Sequence, residues 1–126
     1  MIRPLLQEIY QDNAWKMLVC CILLNLTKRT QVDIIRDELF RLYPTPSKMK
    51  NANVDRLSNL LQPLGLYNKR ARTLKRFSEG WIKGFKSVDE LYGIGQYAKD
   101  SWEIFQNNNR KINPTDKVLQ EYLRVT

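Results

Sequence analysis

The run from Asn13 to Asn25 constrains the fold most. It carries Trp15, Met17, Leu18, Val19, Cys20, Cys21, Ile22, Leu23 and Leu24 with almost nothing polar between them. A helix that is apolar all the way round has to be surrounded, by lipid or by other helices. The unbroken stretch Met17 to Leu24 falls far short of the roughly 20 residues a bilayer span needs. Met1 to Tyr10 carries acid and amide residues where a signal peptide would have an apolar core. The run therefore predicts a helix at the centre of a soluble, intracellular bundle, and its neighbours should be amphipathic.

Helical spacing recurs from end to end. Val32, Ile35, Leu39 and Leu42 follow Thr27 or Thr30 as the cap, and Pro44 and Pro46 end that helix. Asn53 opens the next, with Val54, Leu57, Leu61 and Leu64 on one face, closing near Pro63 and Gly65. A fourth starts at about Tyr67, with Tyr67, Ala71, Leu74 and Phe77 inward and Lys69, Arg70, Arg72, Lys75 and Arg76 largely outward. Ser87 and Glu90 have capping-box spacing and predict one turn of helix. A helix from about Gln96 to Gln106 leads through a polar loop to a last helix opened by Asn113 and Pro114. There is no repeat, linker or low-complexity segment. The expected fold is all-α, a helical bundle forming one domain over residues 1–126, which at 43% hydrophobic residues can bury a modest core. Nothing in the sequence marks either end as natural, so a fragment of a longer protein fits equally.

Twenty-one Lys and Arg against 13 Asp and Glu give a net charge of +8, which favours a polyanionic partner, nucleic acid ahead of an anionic membrane surface. The basic run on the fourth helix reads by default as a solvated face, and some of it can follow a DNA backbone. The chain has no histidine, so Cys/His zinc sites and histidine general bases are excluded. Its two cysteines are adjacent; they cannot form a disulfide framework, fit a reducing compartment and read as small core residues.

The stretch L-Y-G-I-G-Q-Y-A-K-D, Leu91 to Asp100, holds two of the five glycines. A short helix, a G-I-G turn and a second helix form a hairpin in which glycine permits positive φ and close backbone approach. Exposed N–H groups at Gly93, Ile94 and Gly95, with the positive end of the following helix, suit a phosphate oxygen. The same pair also fits a plain junction between helices. Downstream, Asp116 in N-P-T-D lies near the start of the last helix; on its own it reads as an acid that stabilises a helix N-terminus.

Hairpin, loop and aspartate in this order resemble the helix-hairpin-helix (HhH-GPD) DNA glycosylase superfamily. Wider stretches narrow the likeness. D-N-A-W-K-M-L-V-C-C-I-L-L-N-L-T, L-L-Q-P-L-G-L-Y-N-K-R-A-R-T-L-K-R-F-S and L-Y-G-I-G-Q-Y-A-K-D-S-W-E-I-F are similar to the glycosylase domain of the methyl-CpG-binding-domain thymine/uracil mismatch glycosylases. The matches run in order from about Leu6 to Tyr122.

The resemblance implies a monomeric, nuclear base-excision-repair enzyme acting on double-stranded DNA with a mismatched or damaged pyrimidine. It implies that Asp116 assists cleavage of the N-glycosidic bond of a flipped thymine, uracil or damaged relative such as 5-hydroxymethyluracil opposite guanine. Tyr97 stands where bifunctional members carry a lysine nucleophile, so no Schiff base and no AP-lyase step are expected. Lys99 leaves the helix at about 200° from Tyr97 and reads as a solvent or phosphate contact; Tyr67 is the other phosphate contact the likeness implies. Gln7 matches a glutamine that bonds the base edge together with Tyr97, and Leu66 matches an apolar wedge in the base stack. Leu26 stands where the family usually has an arginine that enters the gap left by the flipped nucleotide, which puts mismatch specificity in doubt more than the chemistry. Superfamily members often hold a four-cysteine iron-sulfur cluster after the aspartate; with no cysteine beyond Cys21, none is expected here, and a structural cation at the hairpin is the one inorganic partner left open. A non-catalytic DNA-binding module using the same hairpin, and a helical domain whose basic face meets an acidic protein, are the rival readings.

Overall fold

The computed structural model describes residues 3–126, which form eight α-helices and two 3₁₀ turns. Helix α1 is Leu6–Ile9, α2 Ala14–Leu23, α3 Arg29–Leu42, α4 Pro46–Lys50 and α5 Val54–Leu60. A 3₁₀ turn at Gln62–Leu64 leads into α6, Tyr67–Lys83, and a second at Val88–Glu90 into α7, Gln96–Phe105; α8 is Lys117–Val125. The all-helical expectation holds over the described residues. None of these helices is long and apolar enough to cross a membrane.

Helix α2 is the centre of the bundle. Asn13 caps it by accepting from the Lys16 N–H, and every residue from Met17 to Leu23 is buried. Helices α1, α3, α6 and α7 pack around it, as a helix apolar on all sides requires. Trp15, 2% exposed, donates from its indole N–H to Ser78 on α6 at 3.1 Å, so the largest core side chain has its polar atom satisfied.

Several local readings change. Neither Thr27 nor Thr30 caps α3: Thr27 Oγ1 donates back to Leu23 O at 2.6 Å, and Lys28 is the cap residue, its N–H held by Gln31 Oε1 at 2.7 Å. Leu42 is 43% exposed instead of core. Pro44 does follow the end of α3, but Pro46 starts a helix: with Thr45 accepting from Lys48 N–H, it takes the first position of α4, where a missing N–H costs nothing. Asn53 caps α5 as expected, accepting from Asp55 and Arg56 N–H. Glu90 accepts from Lys86 N–H instead of closing a box on Ser87.

The basic face of α6 is less uniform than its sequence suggests. Arg70 is 7% exposed, with Nε donating to Gly65 O at 2.8 Å; burial pushes its pKa down. Lys75 donates to Ala52 O, and Arg76 lies over the Tyr92 ring, 3.9 Å from its centroid. Lys69 and Arg72 remain exposed, and Tyr67, expected inward, is 39% exposed.

Candidate active site

A cleft of about 780 Å³ opens where α1, the end of α2, the start of α6, the glycine hairpin and the start of α8 converge. Residues far apart in the chain meet there: Gln7, Leu26, Leu66, Tyr97 and Asp116 all line it, with Gly93 and Gly95 on the hairpin side.

Asp116 is the N-cap of α8, not a residue inside a helix opened by Asn113 and Pro114. The start is later because Pro114 is buried in the preceding loop, its carbonyl accepting from Gln120 Nε2 at 2.8 Å. As cap, Asp116 accepts from Leu119 N–H through Oδ2 at 3.0 Å. That bond fixes the carboxylate and leaves Oδ1 without a partner among the described residues, at a cleft wall.

Tyr97 projects from the first turn of α7, and its hydroxyl accepts from Gln7 Nε2 at 2.6 Å. Burial raises the phenol's pKa well above its usual value; the Asp116 charge, and Cys21 wherever it ionises, add to this, and the Gln7 bond opposes it. The phenol is neutral, and its proton has no acceptor among the described residues. Gln7 is only 2% exposed and also donates to Ser101 Oγ at 3.1 Å. Its one-turn helix is too short to hold itself in place. Arg29 donates to Pro4 O at 2.8 Å, Arg36 to Tyr10 OH at 2.9 Å, and Asp33 accepts from Arg3, Arg29 and Arg36. Burial works against the ionised Asp33, but these guanidinium bonds outweigh it and lower its pKa.

Leu26 and Leu66 are both in the left-handed region, φ 60° and 47°, and are 83% and 56% exposed. An L-residue there is strained by about 1–2 kcal/mol, and a large apolar side chain is held in water as well. Such a combination is expected at a functional site. Leu66 could have been a core residue by sequence alone; here it stands at the cleft rim.

The two hairpin glycines differ. Gly93 has φ +88°, and a Cβ there would meet Thr73 Cγ2 at 2.8 Å. Gly95 has φ −100° and open space around it, so positive φ explains only the first. Gly95 is the N-cap of α7 with no side chain capping the helix, so its first N–H groups have no side-chain partner among the described residues. Ile94, Tyr67 and Lys99 do not line the cleft; Lys99 lies 3.9 Å from Asp89.

One cleft residue and one buried residue behind the cleft escaped sequence reasoning. Cys21, read as plain core, lines the cleft floor. Burial pushes its thiol up to about 12, the Asp116 charge adds to this and a Ser101 hydrogen bond opposes it, so it is a neutral thiol and a poor nucleophile. Ser101 sits one helical turn after Tyr97, an i, i+4 spacing that could have revealed their shared face.

Residues 18–123 match the family described as HhH-GPD superfamily base excision DNA repair protein. The chain belongs to this family. Among HhH-GPD relatives, it is 34% identical over 126 residues to a methyl-CpG-binding domain protein 4-like protein of Arabidopsis thaliana, covering 96% of this chain and 28% of that protein. It is 35% identical over 94 residues to a thymine/uracil-DNA glycosylase of Pyrobaculum aerophilum, covering 68% of this chain and 41% of the relative. The chain thus spans well under half the length of these relatives. The fold aligns with a thermostable thymine-DNA glycosylase at TM-score 0.71 and 17% identity, over 95% of this chain and 74% of that one. It also aligns with endonuclease III in a trapped covalent complex with DNA, at TM-score 0.72 and 16% identity, over 93% and 62%.

Proposed function

We propose that this HhH-GPD chain is a monofunctional DNA glycosylase domain that hydrolyses the N-glycosidic bond of thymine or uracil, or damaged relatives such as 5-hydroxymethyluracil, opposite guanine. The observation that carries this reading is the meeting of Asp116, Tyr97 and Gln7 in one cleft that two exposed leucines in the left-handed region also line.

In this reading the hairpin N–H groups and the open N-terminus of α7 hold one phosphate while Leu66 enters the base stack and Leu26 fills the space the flipped nucleotide vacates. Flipping favours mispaired nucleotides because unpairing them costs less. As the base leaves, the sugar gains oxocarbenium-like charge; the free Oδ1 of Asp116 stabilises it and orients or deprotonates water. Tyr97, a neutral phenol, can donate to the departing base. It cannot form a Schiff base, so the product is an intact strand with an abasic site. Alignment with a thymine/uracil-DNA glycosylase supports the pyrimidine assignment.

The test is incubation with G·T, G·U, G·5-hydroxymethyluracil and fully paired duplexes. Alkali-labile sites should form in the mispaired duplexes, with no strand cleavage before alkali. Duplex binding without base release from any of them would instead favour a non-catalytic module.

A further inference from the structure

We infer that Arg29 is a DNA contact of this cleft: its guanidinium, fixed at the start of α3, takes a phosphate beside the flipped nucleotide on the Leu26 side. This rests on the glycosylase reading above and adds to it a phosphate site separate from the glycine hairpin.

Arg29 is the first residue of α3 and lines the cleft three residues after Leu26. A guanidinium has five N–H donors and no acceptor, so each of its hydrogen bonds runs in one direction only. Nε donates to Asp33 Oδ1 at 3.0 Å and Nη1 to Pro4 O at 2.8 Å, with the side chain 25% exposed. Nη2 makes no hydrogen bond among the described residues. A planar group pinned through two nitrogens and open at the third is preorganised for an anion, because little side-chain freedom remains to be lost on binding.

The charge balance points the same way. Arg3, Arg29 and Arg36 all sit on the one carboxylate of Asp33, and Asp37, 3.9 Å from Arg36, is the other acid paired with the group. Three guanidiniums against two carboxylates leave a positive excess, and of the three only Arg29 lines the cleft. Leu26 beside it, 83% exposed, fills the vacated space in the glycosylase reading. Every nucleotide is flanked by phosphates, so the strand brings an acceptor to the rim that Leu26 and Arg29 share.

The readout is the salt dependence of affinity for a duplex bearing a tetrahydrofuran abasic analogue opposite guanine. With no base to hold, Gln7 does not enter, and nothing is cleaved. Each phosphate contact adds about 0.9 to the slope of log affinity against log salt. Arg29→Gln should therefore lower the slope by about one and weaken binding about tenfold at about 50 mM salt, narrowing to about threefold at about 200 mM. Asp33 keeps Arg3 and Arg36 in this variant, so no carboxylate is stranded and the fold should persist, as a thermal melt checks. Arg29→Met keeps the apolar stem and carries the same expectation, so a folding failure of one substitution does not decide the matter. Arg29→Lys keeps the charge and should keep the slope. Arg3→Gln removes an equal charge from the same carboxylate outside the cleft and should leave the slope as in the wild type. A wild-type slope in folded Arg29→Gln overturns the inference whether affinity is kept or lost, and so does an equal loss of slope in Arg3→Gln, which would mean a diffuse field instead of a contact. Failure of the wild-type chain to release uracil from G·U overturns the glycosylase reading instead, and the slopes are read independently of it.

Discussion

At the residue scale, buried groups in the cleft and behind it are held neutral. Cys20, Cys21 and Tyr97 all have raised pKa values, with burial as the largest cause. For Cys21 the shift is from 9.0 to about 12. The folded chain therefore keeps a proton that the unfolded chain loses. The associated stability is complete below about pH 9 and falls as pH rises towards about 12, by up to about 1.4 kcal/mol per pH unit for each such group. Urea midpoints measured across that alkaline window should fall, and Cys21→Ala should flatten the fall while lowering stability at neutral pH through the cavity it leaves. An unchanged slope in that variant would mean that Cys21 titrates normally. Cys20 and Cys21 look alike in sequence, yet only one faces the cleft.

At the scale of elements, the hairpin separates folding from binding. Gly93→Ala forces a strained φ and a clash with Thr73 and should destabilise by about 1–3 kcal/mol. Gly95→Ala meets open space at an ordinary φ and should leave stability within about 0.5 kcal/mol. If a phosphate approaches that backbone, Gly95→Ala should still weaken duplex binding several-fold, which titration and thermal melts on the same sample would separate; equal affinity would remove the hairpin from the DNA interface. The same scale shows what sequence could disclose. The central helix and the Asn53 cap were legible because apolar periodicity and cap chemistry act locally. Helix α4 was not, because Pro46 serves as both a stop and a first-turn residue. Arg70 was misread because a charge run does not reveal which member is buried by a loop carbonyl. In the site, Asp116, Tyr97 and Gln7 were named by resemblance, but Gln7 and Ser101 are joined by a long-range contact with no local signature.

At the scale of the whole molecule, the net charge of +8 and the cleft's position predict affinity that is largely electrostatic. With about four phosphate contacts, it should fall about a hundredfold between about 50 and 200 mM salt, as fluorescence anisotropy on a G·U duplex can show; a flat response would argue against DNA as the partner. The apolar centre, the pinned one-turn helix and the capped aspartate serve one arrangement, a carboxylate held at the wall of a cleft, which in the proposed function receives the flipped base. The most direct test is single-turnover release of uracil from a G·U duplex by the wild-type chain and by Asp116→Asn. Asparagine caps a helix as well as aspartate does, so α8 and the thermal midpoint should persist while the rate falls by about 10²–10⁴-fold. A folded Asp116→Asn protein releasing uracil at the wild-type rate would contradict the account.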